Sequence, residues 1–166
     1  MSGFDPAWLP LREPADHRAR NGELAAALAA RFTLRETISV VDLGCGSGSN
    51  LRALADILPR SQSWTLVDYD PALLAAARAA LSAWAESATT DGDDRLVLSV
   101  NGRSISVRFV RHDLNDDLGA VLGEAPDLVT AAAIFDLASP EFIRRLAQAV
   151  IERNAVFYTV LTYNGL

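Results

Sequence analysis

The chain has 166 residues, enough for one domain with its own hydrophobic core but too few for two domains of ordinary size. No apolar run is long enough to span a bilayer, and the start lacks the features of a signal peptide. A net charge of −6, with scattered arginines and no lysine, argues against a nucleic-acid partner. The single cysteine excludes an internal disulfide and fits a reducing cytoplasm.

The N-terminal segment, residues 1–35, is expected to stand apart from the rest of the domain. Its prolines predict irregular chain to about Pro14, and the apolar pattern that follows predicts an amphipathic helix over residues 16–32. This helix precedes the first strand, so it can lie over the carboxyl edge of a sheet as a cap. Arg18 and Arg20 on the helix could reach a carboxylate there, although a solvated helix face explains them equally well.

Residues 36–166 alternate between strand-like and helix-like segments. The predicted strands are 38–43, 64–67, 127–132 and 155–161, and a hairpin is predicted over 95–100 and 104–110. The predicted helices are 49–58, about 71–86, 115–122 and one that begins at Ser139-Pro140. A polar loop is expected over 89–94. The alternation predicts an α/β fold with a doubly wound, mainly parallel sheet and helices on both faces.

Two local patterns support this reading of the elements. Asp70-Pro71 is a capping residue followed by proline at the first helical position. Asn101-Gly102 is typical of a two-residue hairpin turn. The second arm of that hairpin continues to Asp113 and is expected to be the third strand of the parallel sheet.

A glycine-rich turn, VVDLGCGSGSN over residues 40–50, joins the first strand to the first helix. Glycines at alternate positions let the backbone turn tightly and approach a ligand without a Cβ in the way. The helix that follows presents free N–H groups at its start, which suit an anionic ligand. Such a loop is also compatible with a tight turn that binds nothing.

Two carboxylates are expected on the same edge of the sheet. Asp68 follows the second strand at roughly the interval expected for a ribose-binding acid. Asp113 follows the third strand, where it can accept a hydrogen bond from an exocyclic amine such as that of adenine. Asp70 is interpreted as a helix cap.

These segments together resemble the motifs of class I, Rossmann-like methyltransferases that use S-adenosylmethionine. The glycine turn is similar to the first motif, VDYDP over 67–71 to the second, and HDL over 112–114 to the third. DLVTAAAI over 127–134 is similar to the motif of the fourth strand. The resemblance covers about residues 38–161 and is specific because four motifs occur in the expected order.

The resemblance implies S-adenosylmethionine as the cofactor and assigns residues to its parts. Asp68 would hold the ribose, Tyr69 would stack near the adenine, and Asp113 would face the adenine amine. The full set of cofactor-binding residues that it implies is Asp42, Gly44, Cys45, Gly46, Gly48, Asp68, Tyr69, Asp113, Leu114, Ala131 and Ala132. No metal site is expected, because His17 and His112 lack ligand spacing.

The chain departs from the family pattern after the fifth strand. Members of the family normally continue to an antiparallel strand pair, whereas this sequence stops at residue 166, so the last two strands are expected to be lacking. An uncovered fifth strand would be an exposed edge, and a truncated fragment, self-association or cover by a partner chain would explain it.

The acceptor of the methyl group is expected to be a small molecule, since the stretch after the fourth strand is apolar. Asp136 and Tyr163 are weak candidates for a general base. Two other functions stay open. A nicotinamide- or flavin-dependent oxidoreductase is disfavoured because Ser49 stands where its third glycine would be. A binding module that keeps the cofactor pocket without catalysing transfer is the second alternative.

Overall fold

A seven-stranded sheet forms the centre of the computed structural model, which describes residues 7–161. The strands are β1 (Thr37–Leu43), β2 (Ser61–Asp68), β3 (Ser87–Thr90), β4 (Leu96–Val100), β5 (Arg103–Arg111), β6 (Leu128–Ala132) and β7 (Val156–Val160). Their order across the sheet is β3-β4-β5-β2-β1-β6-β7. The five strands from β5 to β7 in that order are parallel, and β3 and β4 are antiparallel.

Helices cover both faces of the sheet, which confirms the predicted doubly wound fold. They are α1 (Leu9–Ala19), α2 (Gly22–Phe32), α3 (Ser49–Leu54), α4 (Pro71–Trp84), α5 (Gly119–Leu122) and α6 (Pro140–Glu152), with a 3-10 turn at Ala55–Ile57. One core lies under α2, α3 and α4, and the other under α5 and α6. Within residues 7–161, no helix has the length and apolarity that a membrane span needs.

The side-chain alternation of β1 shows how one strand serves both cores. Ile38 and Val40 belong to the core under α2–α4, whereas Val41 and Leu43 belong to the core under α5 and α6. Successive side chains of a strand point to opposite faces, so a strand buried on both sides reads as a continuous apolar run. This explains why β1 has apolar residues pointing to both of its faces, at Ile38, Val40, Val41 and Leu43.

The predicted hairpin is confirmed as β4 and β5, and a further strand, β3, pairs with its outer side. Asn101 and Gly102 have φ of +49° and +71°, as a type I′ turn requires. The expectation that residues 89–94 form only a polar loop is wrong in part, because Ser87–Thr90 pairs with β4. The side chains of Ser87–Thr90 are all exposed, so no burial pattern marked this strand. The antiparallel pair of this sheet therefore lies beside β5.

The predicted N-terminal helix over residues 16–32 is wrong in its bounds, because two helices form instead. Arg20 is extended, with φ −64° and ψ 139°, and this ends α1. The Asn21 side chain then accepts a hydrogen bond from the Leu24 N–H at 3.0 Å and caps α2. The expectation of irregular chain up to Pro14 is wrong for residues 9–14, which belong to α1.

The strand order places a crevice between β1 and β6. From β1 the chain moves outward through β2 to β5, and β6 then returns to the other side of β1. In open α/β sheets, ligands bind outside the carboxyl ends of the strands at such a reversal. The glycine turn after β1 and the loop after β6 both lie at this crevice.

The outer edge of β7 is expected to mediate self-association. Val156 and Val160 bond toward β6, so the backbone N–H and C=O groups of Phe157 and Thr159 face the edge that no strand of residues 7–161 pairs with. Both side chains are exposed and uncharged. Sedimentation velocity should therefore show association that grows with concentration, and Thr159→Lys should reduce it. A wild-type chain that stays monomeric at all concentrations would contradict this prediction.

Candidate active site

The glycine turn lies at the crevice and requires glycine at its first position. Gly44, Gly46 and Gly48 have φ of +65°, +53° and +80°, which other residues rarely adopt. A Cβ on Gly44 would lie 2.8 Å from Cγ2 of Ile134, in the loop after β6. Glycine is thus required at position 44 for two reasons, the backbone conformation of the turn and the close packing of Ile134 against it.

Asp68 ties the glycine turn to the end of β2. Its carboxylate is buried, and its Oδ2 accepts a hydrogen bond from the Gly46 N–H at 3.0 Å. Oδ1 accepts one from the Asp70 N–H, also at 3.0 Å. Each carboxylate oxygen can accept a second bond. Asp68 therefore orders the turn and still has acceptor capacity for the hydroxyl groups of a ligand.

Helix α1 is held across the glycine turn by a charged cluster. Arg52, at the end of α3, donates from Nε to Glu13 at 2.6 Å and from Nη1 to the Ser47 carbonyl at 2.9 Å. His17 lies within 2.9 Å of the Ser49 hydroxyl. Burial alone would raise the pKa of Glu13, but the hydrogen bond and charge of Arg52 outweigh it and lower that pKa. The cluster makes α1 a roof over the crevice.

A cavity of about 280 Å³ lies between this roof and the strand ends. Its polar side is formed by the glycine turn and Asp68, and its apolar side by the start of α1 and the loop after β6. The lining residues are Trp8, Leu9, Arg12, Asp16, Arg20, Gly44, Cys45, Gly46, Ser47, Ser49, Asn50, Asp68, Leu73, Ala132, Ala133, Ile134, Leu137 and Val160.

Asp42 lies buried behind the cavity at the end of β1. Its Oδ1 accepts a hydrogen bond from Nδ2 of Asn50 at 3.0 Å, and Asn50 also donates to the Thr130 hydroxyl at 3.0 Å. Burial raises the pKa of Asp42 to about 7, with the nearby Asp68 charge adding to the rise, while Asn50 and the charge of Arg20 oppose it.

The raised pKa of Asp42 predicts that the free energy of unfolding falls as the pH rises from about 4 to about 7. In this window the folded chain keeps a proton on Asp42 that the unfolded chain, with a pKa of 3.8, has lost. Asp42→Asn should remove this part of the pH dependence. Denaturant unfolding of both proteins across the window measures it, and identical pH profiles would contradict the assignment.

Cys45 is buried beside the cavity and is not activated as a nucleophile. Burial, followed by the negative charges of Asp42 and Asp68, raises the pKa of its thiol well above the usual value. A thiol in that state is a poor nucleophile at neutral pH. Cys45 therefore contributes its small size and its backbone, whose N–H donates to the Val67 carbonyl at 2.9 Å.

The structure brings part of the predicted cofactor set into the cavity wall, namely Gly44, Cys45, Gly46, Asp68 and Ala132. The six other members of that set lie outside the cavity wall, and the buried Asp42 behind the cavity is one of them. Tyr69 is exposed with Arg111 over its ring, Asp113 accepts hydrogen bonds from Asn115, Leu114 is half-buried, and Ala131 lies in the core. Gly48 precedes α3.

One of the two weak candidates for a general base, Asp136, lies outside the cavity wall. It is exposed to solvent. Tyr163 lies outside the described residues. Within residues 7–161, no group of His, Cys, Asp and Glu is arranged to hold a metal ion.

The residues that sequence reasoning missed lie mainly on α1. Trp8, Leu9, Arg12 and Asp16 line the cavity, and all but Leu9 are spaced one helical turn apart and share one face with Arg20. The repeat at i, i+4 was a usable signal, but its members are chemically unlike. The glycine neighbours Ser47 and Asn50 were also not singled out.

Comparisons with known proteins agree with this fold. A family model described as a methyltransferase domain matches residues 40–153. An S-adenosylmethionine-dependent methyltransferase from Aquifex aeolicus is similar in structure, with TM-score 0.57 and 17% identity over 96% of this chain and 72% of that one. A Methanococcus maripaludis protein named as such a methyltransferase has a TM-score of 0.59 and 15% identity, over 97% of this chain and 67% of that one.

A third similar structure is the plantazolicin methyltransferase BpumL, with TM-score 0.55 and 18% identity over 89% of this chain and 47% of that one. In another structure of BpumL the chain spans 38% of its length. At these identities the likeness shows a shared fold. Among curated proteins, none matches the chain significantly by sequence. Because the family model covers more than half of the sequence, the chain belongs to the methyltransferase domain family.

Proposed function

We propose that this chain is an S-adenosylmethionine-dependent methyltransferase that acts on a small-molecule acceptor. The observation that carries the proposal is the buried Asp68 carboxylate, hydrogen-bonded to the glycine turn at the mouth of a roofed cavity. An acid that is fixed beside a glycine turn at the reversal of strand order suits the ribose of a nucleoside. The BpumL structure named above contains S-adenosylhomocysteine, which supports the same choice of cofactor.

The residues around the cavity fit the parts of this cofactor. Gly44 and Gly46 offer backbone without side chains beside the methionyl part, and Asp68 offers acceptors to the ribose. Tyr69, Asp113 and Leu114 lie at the ends of β2 and β5, and we propose that they contact the adenine outside the cavity wall. Residues 1–35 would then be the cap, and residues 36–166 the cofactor-binding core.

The cofactor supplies a methyl group on a positively charged sulfur, and an acceptor lone pair displaces the sulfur in line. The protein's part is to position the two reactants and to exclude water. The Glu13–Arg52 pair holds α1 beside the glycine turn, and other residues of α1 line the cavity. Asp136 and Tyr163 remain candidates for taking up a proton from the acceptor.

The acceptor proposed here is small and largely apolar. Much of the cavity wall is apolar, with side chains contributed by Trp8, Leu9, Ile134, Leu137 and Val160. A roofed cavity of this kind admits a small molecule more readily than a polymer.

The charges outside the cavity also favour a small molecule over a nucleic acid. Arg103 contacts Asp56, and Arg111 lies over Tyr69, so these arginines are engaged within the protein. The chain is acidic overall, with a net charge of −6. Nucleic-acid binding depends on arginines and lysines that are free to contact phosphates.

Incubation with methyl-labelled S-adenosylmethionine and a fractionated cell extract tests the proposal. Label is expected in the low-molecular-weight fraction and not in RNA or protein. Label confined to RNA or protein would overturn the small-molecule acceptor. Cofactor binding without label in any fraction would favour a binding module that does not catalyse transfer.

A further inference from the structure

Asp42 is a buried carboxyl group to which the proposed function assigns no part. It lies near the end of β1, two residues before Gly44, and its side chain has no exposed surface. Oδ1 accepts a hydrogen bond from Nδ2 of Asn50 at 3.0 Å. Oδ2 has no hydrogen-bond partner among residues 7–161. A buried carboxylate with a single donor is poorly stabilised as an anion, so its protonation responds to other charges nearby.

The charged and titratable groups around Asp42 come from three parts of the chain. They are Arg20 in the link between α1 and α2, Cys45 in the glycine turn and Asp68 at the end of β2. The charge of Arg20 favours the ionised form of Asp42, and the charge of Asp68 opposes it. Helix α3 and strand β6 contribute the uncharged side chains of Asn50 and Thr130. A third charge nearby therefore shifts the balance between the two forms of Asp42.

A charge inside the cavity lies close to Asp42. Asn50 is hydrogen-bonded to the carboxyl group and also belongs to the cavity wall, as does Gly44. The cavity itself measures about 280 Å³, so no part of it is remote from that wall. A unit charge about 8 Å away favours the ionised form of a carboxyl group by roughly tenfold at the effective dielectric of a protein. A ligand charge can therefore act on Asp42 without direct contact.

The cofactor and its product differ in one charge. S-adenosylmethionine has a positively charged sulfur, S-adenosylhomocysteine has a neutral one, and their remaining charged groups are the same. We propose that Asp42 distinguishes the cofactor from the product by releasing a proton when the charged sulfur binds and keeping it when the neutral sulfur binds. This rests on the proposed function, which identifies the cofactor but no residue that prefers it over the product.

Affinity for the cofactor is expected to rise with pH up to neutrality. Burial, partly offset by the Asn50 hydrogen bond and the charge of Arg20, raises the pKa of Asp42 to about 7, so the free chain holds the proton below that pH. Because S-adenosylmethionine displaces the proton, its binding strengthens as the pH rises toward about 7 and levels off above it. A tenfold effect of the charged sulfur makes its affinity, relative to that of S-adenosylhomocysteine, rise about fourfold from about pH 5.5 to about pH 7.

Calorimetric titration with each ligand, in two buffers of different ionisation enthalpy, measures the protons released. Near about pH 6.5, S-adenosylmethionine should release about half a proton more than S-adenosylhomocysteine. Asp42→Asn should abolish this difference. Glu23→Gln is the matched control, because it removes an exposed carboxylate of α2 and should keep the difference. A difference that is absent in the wild type, or that persists in Asp42→Asn, overturns the proposal.

NMR titration of the Asp42 carboxyl carbon tests the same proposal without a variant, and it decides if Asp42→Asn does not fold. The midpoint of the titration should lie at lower pH in the complex with S-adenosylmethionine than in the complex with S-adenosylhomocysteine. Equal midpoints in the two complexes overturn the proposal. A wild-type chain that binds neither ligand would instead refute the proposed function.

Discussion

Asp68→Ala is expected to reduce the affinity for S-adenosylhomocysteine by about tenfold to 150-fold, or about 1.5–3 kcal/mol. The substitution removes the acceptors proposed for the ribose hydroxyls. It also releases the Gly46 N–H, which Asp68 holds at 3.0 Å, so the glycine turn loses its tie to β2. Isothermal titration calorimetry of the wild-type and variant chains measures the change.

Asp70→Ala is the matched control for this substitution. Asp70 lies two residues away and caps α4 by accepting a hydrogen bond from the Ala72 N–H at 2.8 Å. Its loss should cost about 1 kcal/mol of stability and leave the affinity nearly unchanged. Equal losses of affinity in the two variants would show that the roles of these carboxylates are wrongly assigned.

Gly44→Ala is expected to destabilise the fold by roughly 1–3 kcal/mol and to abolish measurable cofactor binding. The backbone of Gly44 has φ +65°, which is strained for any residue with a Cβ. The new methyl group would also lie 2.8 Å from Cγ2 of Ile134 and displace it toward the cavity. Thermal unfolding and calorimetry measure the two effects.

Two controls separate strain from crowding in this prediction. Gly92→Ala should be nearly neutral, because Gly92 has no positive φ and no atom lies within 4 Å of its added Cβ. Gly44→Ala combined with Ile134→Ala removes the crowded methyl group and should recover part of the binding without relieving the backbone strain. A Gly44→Ala chain as stable and as active in binding as the wild type would refute the role of the turn.

The sequence was informative where one residue type is required by a local conformation. Gly44 needs a positive φ, Asn101-Gly102 forms a type I′ turn, and Asp70 caps a helix, so each was visible in a few neighbouring letters. The buried parallel strands were visible for a similar reason, since they are continuous apolar runs.

The features that escaped prediction depend on contacts between distant residues. Helix α1 contains Pro14 and has no buried side chain, so its sequence lacks an apolar stripe. It is held by Glu13 and Arg52, which are 39 positions apart, and their pairing leaves no local pattern. Strand β3 is fully exposed and forms by pairing with β4. The cavity wall contributed by α1 was missed because the i, i+4 repeat that marks it joins chemically unlike residues.

Calorimetric titration of the full chain with S-adenosylhomocysteine and with NAD⁺ tests the central claim most directly. The alternate glycines, the position of Asp68 and the roofed cavity predict binding of S-adenosylhomocysteine and none of NAD⁺. Binding of NAD⁺ in preference to S-adenosylhomocysteine would contradict the account.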